Sequence, residues 1–247
     1  MFITDTHLKK AHWFAKLSSL AYKNEEIQRM FFESEGIENH IFLDSDGTQA
    51  SLYCDKGEIG IIFRGTEPKK LQDILSDLDI RKKKAKKDDG YVHAGFQESL
   101  DDVWPDVVKF IETYTHSKIY LSGHSLGAAV ATLAAARLDK CTALYTFGSP
   151  RVGGQKFVKD NKEILHWRFI NNNDIVPRVP SRIRWKHHGN RVYIDRKGQV
   201  NNNAHGWNLF VDLFIGYFSA WRKLKFFDSF SDHNIIKYAE HIYASIK

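Results

Sequence analysis

The 247-residue chain has two cysteines, Cys54 and Cys141, too few for a disulfide framework. It opens Met1-Phe2-Ile3-Thr4-Asp5-Thr6-His7, with no basic segment leading into an apolar core. No Sec-type leader is therefore expected, and the expected location is cytoplasmic or leaderless-exported. An uninterrupted apolar run of about 20 residues, the length a membrane-spanning helix needs, is also missing. The densest stretch, Trp207 to Phe227, is broken by Asp212, Gly216 and Ser219. No nucleic-acid motif accompanies the net charge of +6. That charge suits an anionic surface such as phospholipid, and fits nucleic acid or plain solubility as well.

Hydrophobic residues make up 43% of the chain and charged residues 27%, as in a soluble globular protein. The length suits one α/β domain over residues 1–247, with enough chain to bury a full core.

The most informative stretch is Ile119-Tyr120-Leu121-Ser122-Gly123-His124-Ser125-Leu126-Gly127-Ala128. A run of strand character enters Gly-x-Ser-x-Gly, and an alanine-rich helix leaves it. This is the pattern of a nucleophile elbow, a turn so sharp that strand and helix pass within contact distance. Glycine at 123 and 127 permits the approach, and Ser125 is expected at the tip with its hydroxyl exposed. The helix start behind it favours negative charge beside the serine.

Residues 6–22 space Leu8, Ala11, Ala15, Leu17 and Leu20 as an amphipathic helix, and Asn24 followed by Glu25 and Glu26 reads as a second helix start. Thr48 to Cys54 and Glu58 to Phe63 read as a hairpin across Asp55-Lys56-Gly57. The near-continuous apolar character of the second strand predicts a central place in the sheet. It ends in Arg64-Gly65-Thr66. Ester hydrolysis builds negative charge on a carbonyl oxygen, and preformed N–H donors stabilise it. The N–H of Leu126, after the serine, and that of Thr66 are the candidate oxyanion donors.

Residues 67–90 place Leu71, Ile74, Leu75, Leu78 and Ile80 on a possible helix, followed by the basic run Arg81 to Lys87. The segment reads as a lid whose basic run meets anionic head groups, or as a structural helix and a solvated loop. Val92-His93-Ala94-Gly95-Phe96 opens a further helix, through about Glu112. His93 reads as a packed loop histidine, and His124 as tied to the turn and pointing away from substrate.

The acid should follow the serine, and the histidine should follow the acid. Asp174 lies just beyond a strand at 165–170, where open α/β sheets place their sites. It is preferred over Asp160 on a surface helix, Asp195 in a hairpin and Asp212 in an apolar stretch. The downstream histidines are His187, His188, His205, His233 and His241. His233, in a loop entering the last helix, is chosen over His241.

Phe-Arg-Gly-Thr at 63–66, Val-His-Ala-Gly-Phe at 92–96, Gly-His-Ser-Leu-Gly-Ala at 123–128, Phe-Gly-Ser-Pro-Arg-Val-Gly at 147–153 and Asn-Asn-Asp-Ile-Val-Pro at 172–177 occur in order, before an Asp-His pair at the final helix. Together they resemble the class 3 lipases, the fungal-type α/β-hydrolases. The resemblance covers residues 10–245. It implies an α/β-hydrolase fold, with a central, mostly parallel sheet flanked by helices and a lid after Thr66. It also implies a triad of Ser125, Asp174 and His233, an oxyanion hole at Thr66 and Leu126, a lipid ester substrate and no cofactor. The lysine-rich lid region and the aromatic insertion at 207–227 depart from the family pattern. The insertion reads as an interfacial helix, part of an acyl pocket, or core. The expected activity is acylglycerol hydrolysis. The alternatives are a phospholipase A1, a short-chain esterase, and an inactive membrane-binding module that keeps the fold.

Overall fold

The computed structural model describes residues 2–67, 81–201 and 231–246. The expected helix at 71–80 and the stretch 207–227 lie outside the described residues, as do His205 and Asp212.

Helix α1 (Asp5–Leu20) starts where the Thr4 hydroxyl accepts from the His7 N–H, and α2 (Glu25–Ser34) where the Asn24 side chain accepts from the Ile27 N–H. Glu25 and Glu26 lie in the first turn of α2, where the helix dipole favours acids. Strands β1 (Asn39–Ser45), β2 (Thr48–Asp55) and β3 (Glu58–Phe63) form an antiparallel meander. The sequence reading omitted β1. No position of β1 is fully buried, so its apolar alternation is weak.

From β3 onward the sheet is parallel. β3 pairs with β6 (Lys118–His124), β6 with β7 (Ala143–Phe147), β7 with β8 (His166–Asn171) and β8 with β9 (Asn190–Ile194). A short β10 (Val200–Asn201) returns antiparallel, completing the order β1-β2-β3-β6-β7-β8-β9-β10. Residues 59–63 of β3 are all buried, as expected of a strand covered on both faces.

On one face lie α3 (Ala94–Thr113), α4 (Leu126–Arg137) and α5 (Gln155–Asp160). Leu100, Val103 and Val107 of α3 and the buried alanines of α4 pack there on Leu52, Ile61 and Leu121. The opposite face is covered by α1 and α6 (Ile235–Ala244), through Phe14, Leu17, Tyr238 and Ile242 against Phe147, Trp167 and Phe169.

The basic run is ion-paired along most of its length. Lys82–Lys84 forms β4, paired antiparallel with β5 (Tyr91–His93). Lys83 pairs with Glu98 at 2.7 Å, Lys84 with Asp89 at 2.8 Å, Lys86 with Asp101 at 3.6 Å and Lys87 with Asp139 at 2.9 Å. The Lys82 ammonium lies 4.3 Å from the centre of the Tyr91 ring. The acids that offset this run come from α3 and from neighbouring turns, which a local reading of the lysines does not include.

Candidate active site

Four chain segments leave the carboxyl ends of adjacent parallel strands and meet. The loop Arg64–Thr66 follows β3, Ser125 follows β6, Gly148 follows β7 and Asp174 follows β8. His233 arrives from the far end of the chain, one residue before Asn234, which caps α6.

Ser125 has φ 59° and ψ −130°, a left-handed conformation that a side chain rarely adopts. Its N–H is held by the Phe147 carbonyl at 3.0 Å. The two glycines act as expected of an elbow. A methyl group on Gly123 would fall 2.5 Å from the Gly127 carbonyl carbon, and one on Gly127 would meet the Phe63 carbonyl oxygen. Strand β6, helix α4 and the end of β3 are therefore in backbone contact.

The serine is fully buried rather than exposed at a tip. The loop after β3 lies directly on the elbow: a methyl group on Gly65 would be 2.5 Å from the His124 carbonyl oxygen and 3.0 Å from Ser125 Cβ. Thr66, the next residue, is thereby held close to Ser125. Helix α4 begins at Leu126, and the N–H of a first helical residue has no acceptor within its own helix.

Asp174 is buried and accepts three hydrogen bonds. His233 Nδ1–H donates to Oδ2 at 2.8 Å, the Tyr238 hydroxyl donates to the same oxygen at 2.5 Å, and the Val176 N–H donates to Oδ1 at 2.9 Å. Since a carboxylate only accepts, Nδ1 of His233 carries a proton, so the tautomer of the uncharged ring is the one with its lone pair on Nε2. Nε2 of His233 and Oγ of Ser125 are both buried, and neither has a hydrogen-bond partner among the described residues.

His124 is tied to the turn, as expected, and its side chain also lines a cleft beside the site. Its Nε2–H donates to the His233 carbonyl at 2.7 Å, which leaves Nδ1 to accept from the Tyr22 hydroxyl at 2.7 Å. Burial, with His233 alongside, holds its pKa well below the usual histidine range, so the ring is neutral. Asp232 receives the Asn172 side-chain amide at 3.0 Å, and its carbonyl accepts from Asn171 at 2.9 Å. The loop bearing His233 is thus pinned to the loop bearing Asp174.

Tyr238 and Tyr22 were missed by sequence reasoning. Tyr238 lies in the buried stripe Ile235–Tyr238–Ile242 of α6, and a buried phenol needs a partner; that was the available signal. Of the residues not chosen, Asp160 ends α5 and pairs with Lys156, and Asp195 accepts the turn N–H groups of Lys197 and Gln199. His93 packs between Phe96 and Trp185. His187 donates to the Pro177 carbonyl, and His188 bonds the Asn161 carbonyl. None of these joins the site. A cleft of about 310 Å³ opens beside it, lined by Tyr22, Thr66, His124, His233, Ile235 and Ile236 among others.

The model of the family Lipase (class 3) matches residues 60–183, half of the chain, including β3, the elbow and Asp174. This chain belongs to the class 3 lipases. The secreted mono- and diacylglycerol lipase MDL2 of Malassezia globosa is 30% identical over 224 residues, which cover 80% of this lipase and 70% of MDL2. The toxin TseL of Vibrio cholerae is 37% identical over 114 residues, 44% of this chain and 18% of TseL. The triacylglyceride lipase of Rhizomucor miehei superposes with a TM-score of 0.65 at 23% identity, over 79% of this chain and 83% of that one. The likeness places this class 3 lipase in the α/β-hydrolase fold, with the mostly parallel sheet expected of it.

Proposed function

We propose that the chain is a serine carboxylic-ester hydrolase that cleaves acylglycerols through an acyl-enzyme on Ser125. The observation that carries this reading is the Asp174–His233 hydrogen bond, which fixes the imidazole tautomer. Ser125 Oγ and His233 Nε2 are both buried, with no hydrogen-bond partner among the described residues. In this reading His233 Nε2 removes the hydroxyl proton as Oγ attacks the ester carbonyl. The carbonyl oxygen becomes anionic against the N–H groups of Leu126 and Thr66. Asp174 stabilises the imidazolium, which then gives its proton to the departing alcohol. Water, deprotonated by the same nitrogen, cleaves the acyl-enzyme and restores the serine.

The acylglycerol substrate rests on the relatives, since MDL2 is a mono- and diacylglycerol lipase. It rests also on the apolar walls, Ile235 and Ile236, of the cleft beside His233. A phospholipid ester cleaved at the same serine is the second reading. It is favoured by the stretch from 175 to 194, which holds five arginines and lysines and no aspartate or glutamate.

Products from matched triacylglycerol, diacylglycerol, phospholipid and short-chain ester substrates separate these readings. Release of fatty acid from acylglycerols, lost in Ser125→Ala together with labelling by a fluorophosphonate probe, is the expected result. Cleavage of short-chain esters alone would leave an esterase. Labelling that persists in Ser125→Ala would remove the assignment of the nucleophile.

A further inference from the structure

A second group of cations lies on the turn that follows the Asp174 loop. Arg178 ends a short 3-10 helix, Val176–Arg178, and the chain then turns through Arg182, Ile183 and Arg184. No ion pair within 4.0 Å joins Arg178, Arg182, Arg184 or Lys186 to an acid among the described residues. Residues 181–184 are all exposed. Ile183 is 84% exposed, more than any other large apolar side chain among the described residues.

The turn is held rigidly beneath this tip. Trp185, 2% exposed, packs against the rings of Tyr91 and His93, and its N–H closes the turn on the Ser181 carbonyl at 3.2 Å. The Tyr91 hydroxyl donates to the Arg184 carbonyl at 2.5 Å, and the Lys186 N–H donates to the Gly153 carbonyl at 2.8 Å. Arg151 reaches the Arg178 carbonyl, and the Pro180 carbonyl at 2.7 Å. The Lys186 ammonium donates to the Arg182 carbonyl at 2.9 Å, which brings a third cation to the tip.

Ile183 is thus an apolar tip presented between arginines on a fixed turn. We infer that the 178–186 turn docks the protein on anionic phospholipid bilayers, with Ile183 entering the acyl boundary and Arg182, Arg184 and Lys186 at the head groups. The charge and the apolar tip are both complementary to such a surface. A nucleic acid would match the charge, but would have no use for an isoleucine and would seek exposed aromatic rings for stacking. The tip's tryptophan is instead buried as its anchor. This docking goes beyond the hydrolase reading and does not depend on it, because the turn contains no residue of the proposed triad.

The test is co-sedimentation of the full chain carrying Ser125→Ala with vesicles of phosphatidylcholine, alone or enriched in phosphatidylglycerol. Binding is expected only to the anionic vesicles, and it should fall as salt approaches about 1 M, where the screening length is about 3 Å. Arg182→Gln with Arg184→Gln should lower the partition coefficient about 30-fold, from the usual contribution of a basic residue near an anionic membrane. Ile183→Ser should lower it about 3- to 10-fold. Lys86→Gln with Lys87→Gln is the comparison of equal charge and should change it little. All four substituted positions of the two double variants are solvent-facing or ion-paired at the surface, and thermal unfolding checks that each variant is folded. Equal binding to neutral and anionic vesicles would overturn the proposal. So would an equal loss in the two double variants, or a single-stranded RNA that displaces the protein from vesicles through Arg182 and Arg184. The hydrolase reading fails separately, if the chain with Ser125 intact takes no fluorophosphonate label or if labelling persists in Ser125→Ala.

Discussion

Tyr238 and His233 share one oxygen of Asp174: the phenol donates to Oδ2 at 2.5 Å and the imidazole at 2.8 Å. The phenol also accepts the Asn171 N–H at 3.0 Å. It therefore ties the carboxylate, the end of β8 and helix α6 into one unit. Burial and the neighbouring carboxylate push its pKa well above the ordinary phenol value, so it stays a donor throughout the working range.

Tyr238→Phe withdraws a donor from Asp174, which leaves more negative charge facing the imidazole. The carboxylate also loses its tether to α6, so kcat should fall, by up to the roughly 10² that a misplacement of about 1 Å costs. The orphaned Asn171 N–H should cost about 1–3 kcal/mol in unfolding free energy. A loss of stability with unchanged kcat would limit Tyr238 to a packing role.

Gly148 is the second point at which the site is vulnerable. Its φ is +60°, and an added methyl group would lie 2.7 Å from both Asp174 Oδ2 and His233 Cε1. Gly148→Ala should displace Asp174 and His233, and in the proposed triad a misplacement of about 1 Å costs on the order of 10² in rate. Gly47 also has a positive φ, +81°, but no atom lies within 4 Å of the added methyl group. Gly47→Ala should therefore lose a little stability and no activity. Equal kcat in the two variants would dismiss the crowding argument.

What could be read from the sequence follows from how local each signal is. Strands β3 and β7 are nearly continuous apolar runs, and the elbow that β6 enters is a contiguous motif that dictates its own turn. Asp174 and His233 were reachable because each adjoins the end of a recognisable element. Strand β1 was not, since an edge strand of half-buried residues has no strong period. Tyr22, His124 and Tyr238 act through partners 102, 109 and 64 residues away, and no spacing rule joins them. The neutralised lysine run is the converse case. A block of charge is visible in sequence, whereas the acids opposite it come from other elements.

A buried histidine pair gives a prediction on pH. His188 Nε2–H must donate to the Asn161 carbonyl at 2.8 Å, so its Nδ1 accepts from His166 Nδ1–H at 2.9 Å. His166 Nε2 in turn accepts from the Thr146 hydroxyl at 2.7 Å. Each ring is neutral, and a further proton would put two donors face to face. Burial lowers both pKa values, and the Arg168 guanidinium adds to the effect. The unfolded chain, with histidines near pKa 6.5, takes up protons first as pH falls. Stability should therefore be level above about pH 7 and decline below about 6.5, by up to about 1.4 kcal/mol per pH unit for each histidine. His124, neutral and buried, adds in the same direction. Thermal unfolding followed across this range tests it, and His166→Gln should lessen the slope. A stability curve that stays level to about pH 5 would refute the neutral chain.

Asp174→Asn separates geometry from charge at the proposed triad. The carboxylate faces three donors: His233 Nδ1–H, the Tyr238 hydroxyl and the Val176 N–H. An asparagine amide has one acceptor oxygen. With that oxygen at the Oδ2 position, its NH₂ is set against the Val176 N–H. In the other orientation the NH₂ meets His233 Nδ1, forces the proton to Nε2 and leaves no lone pair toward Ser125. Either the loop after β8 distorts or the imidazole takes the wrong tautomer, so kcat should fall by about 10⁴. Asp174→Ala takes away the acceptor without adding a donor. If wrong tautomer is the main defect, raising the pH should restore little activity to Asp174→Asn. Wild-type kcat in Asp174→Asn would show that the carboxylate does not orient the base, and would return the acid's role to another residue.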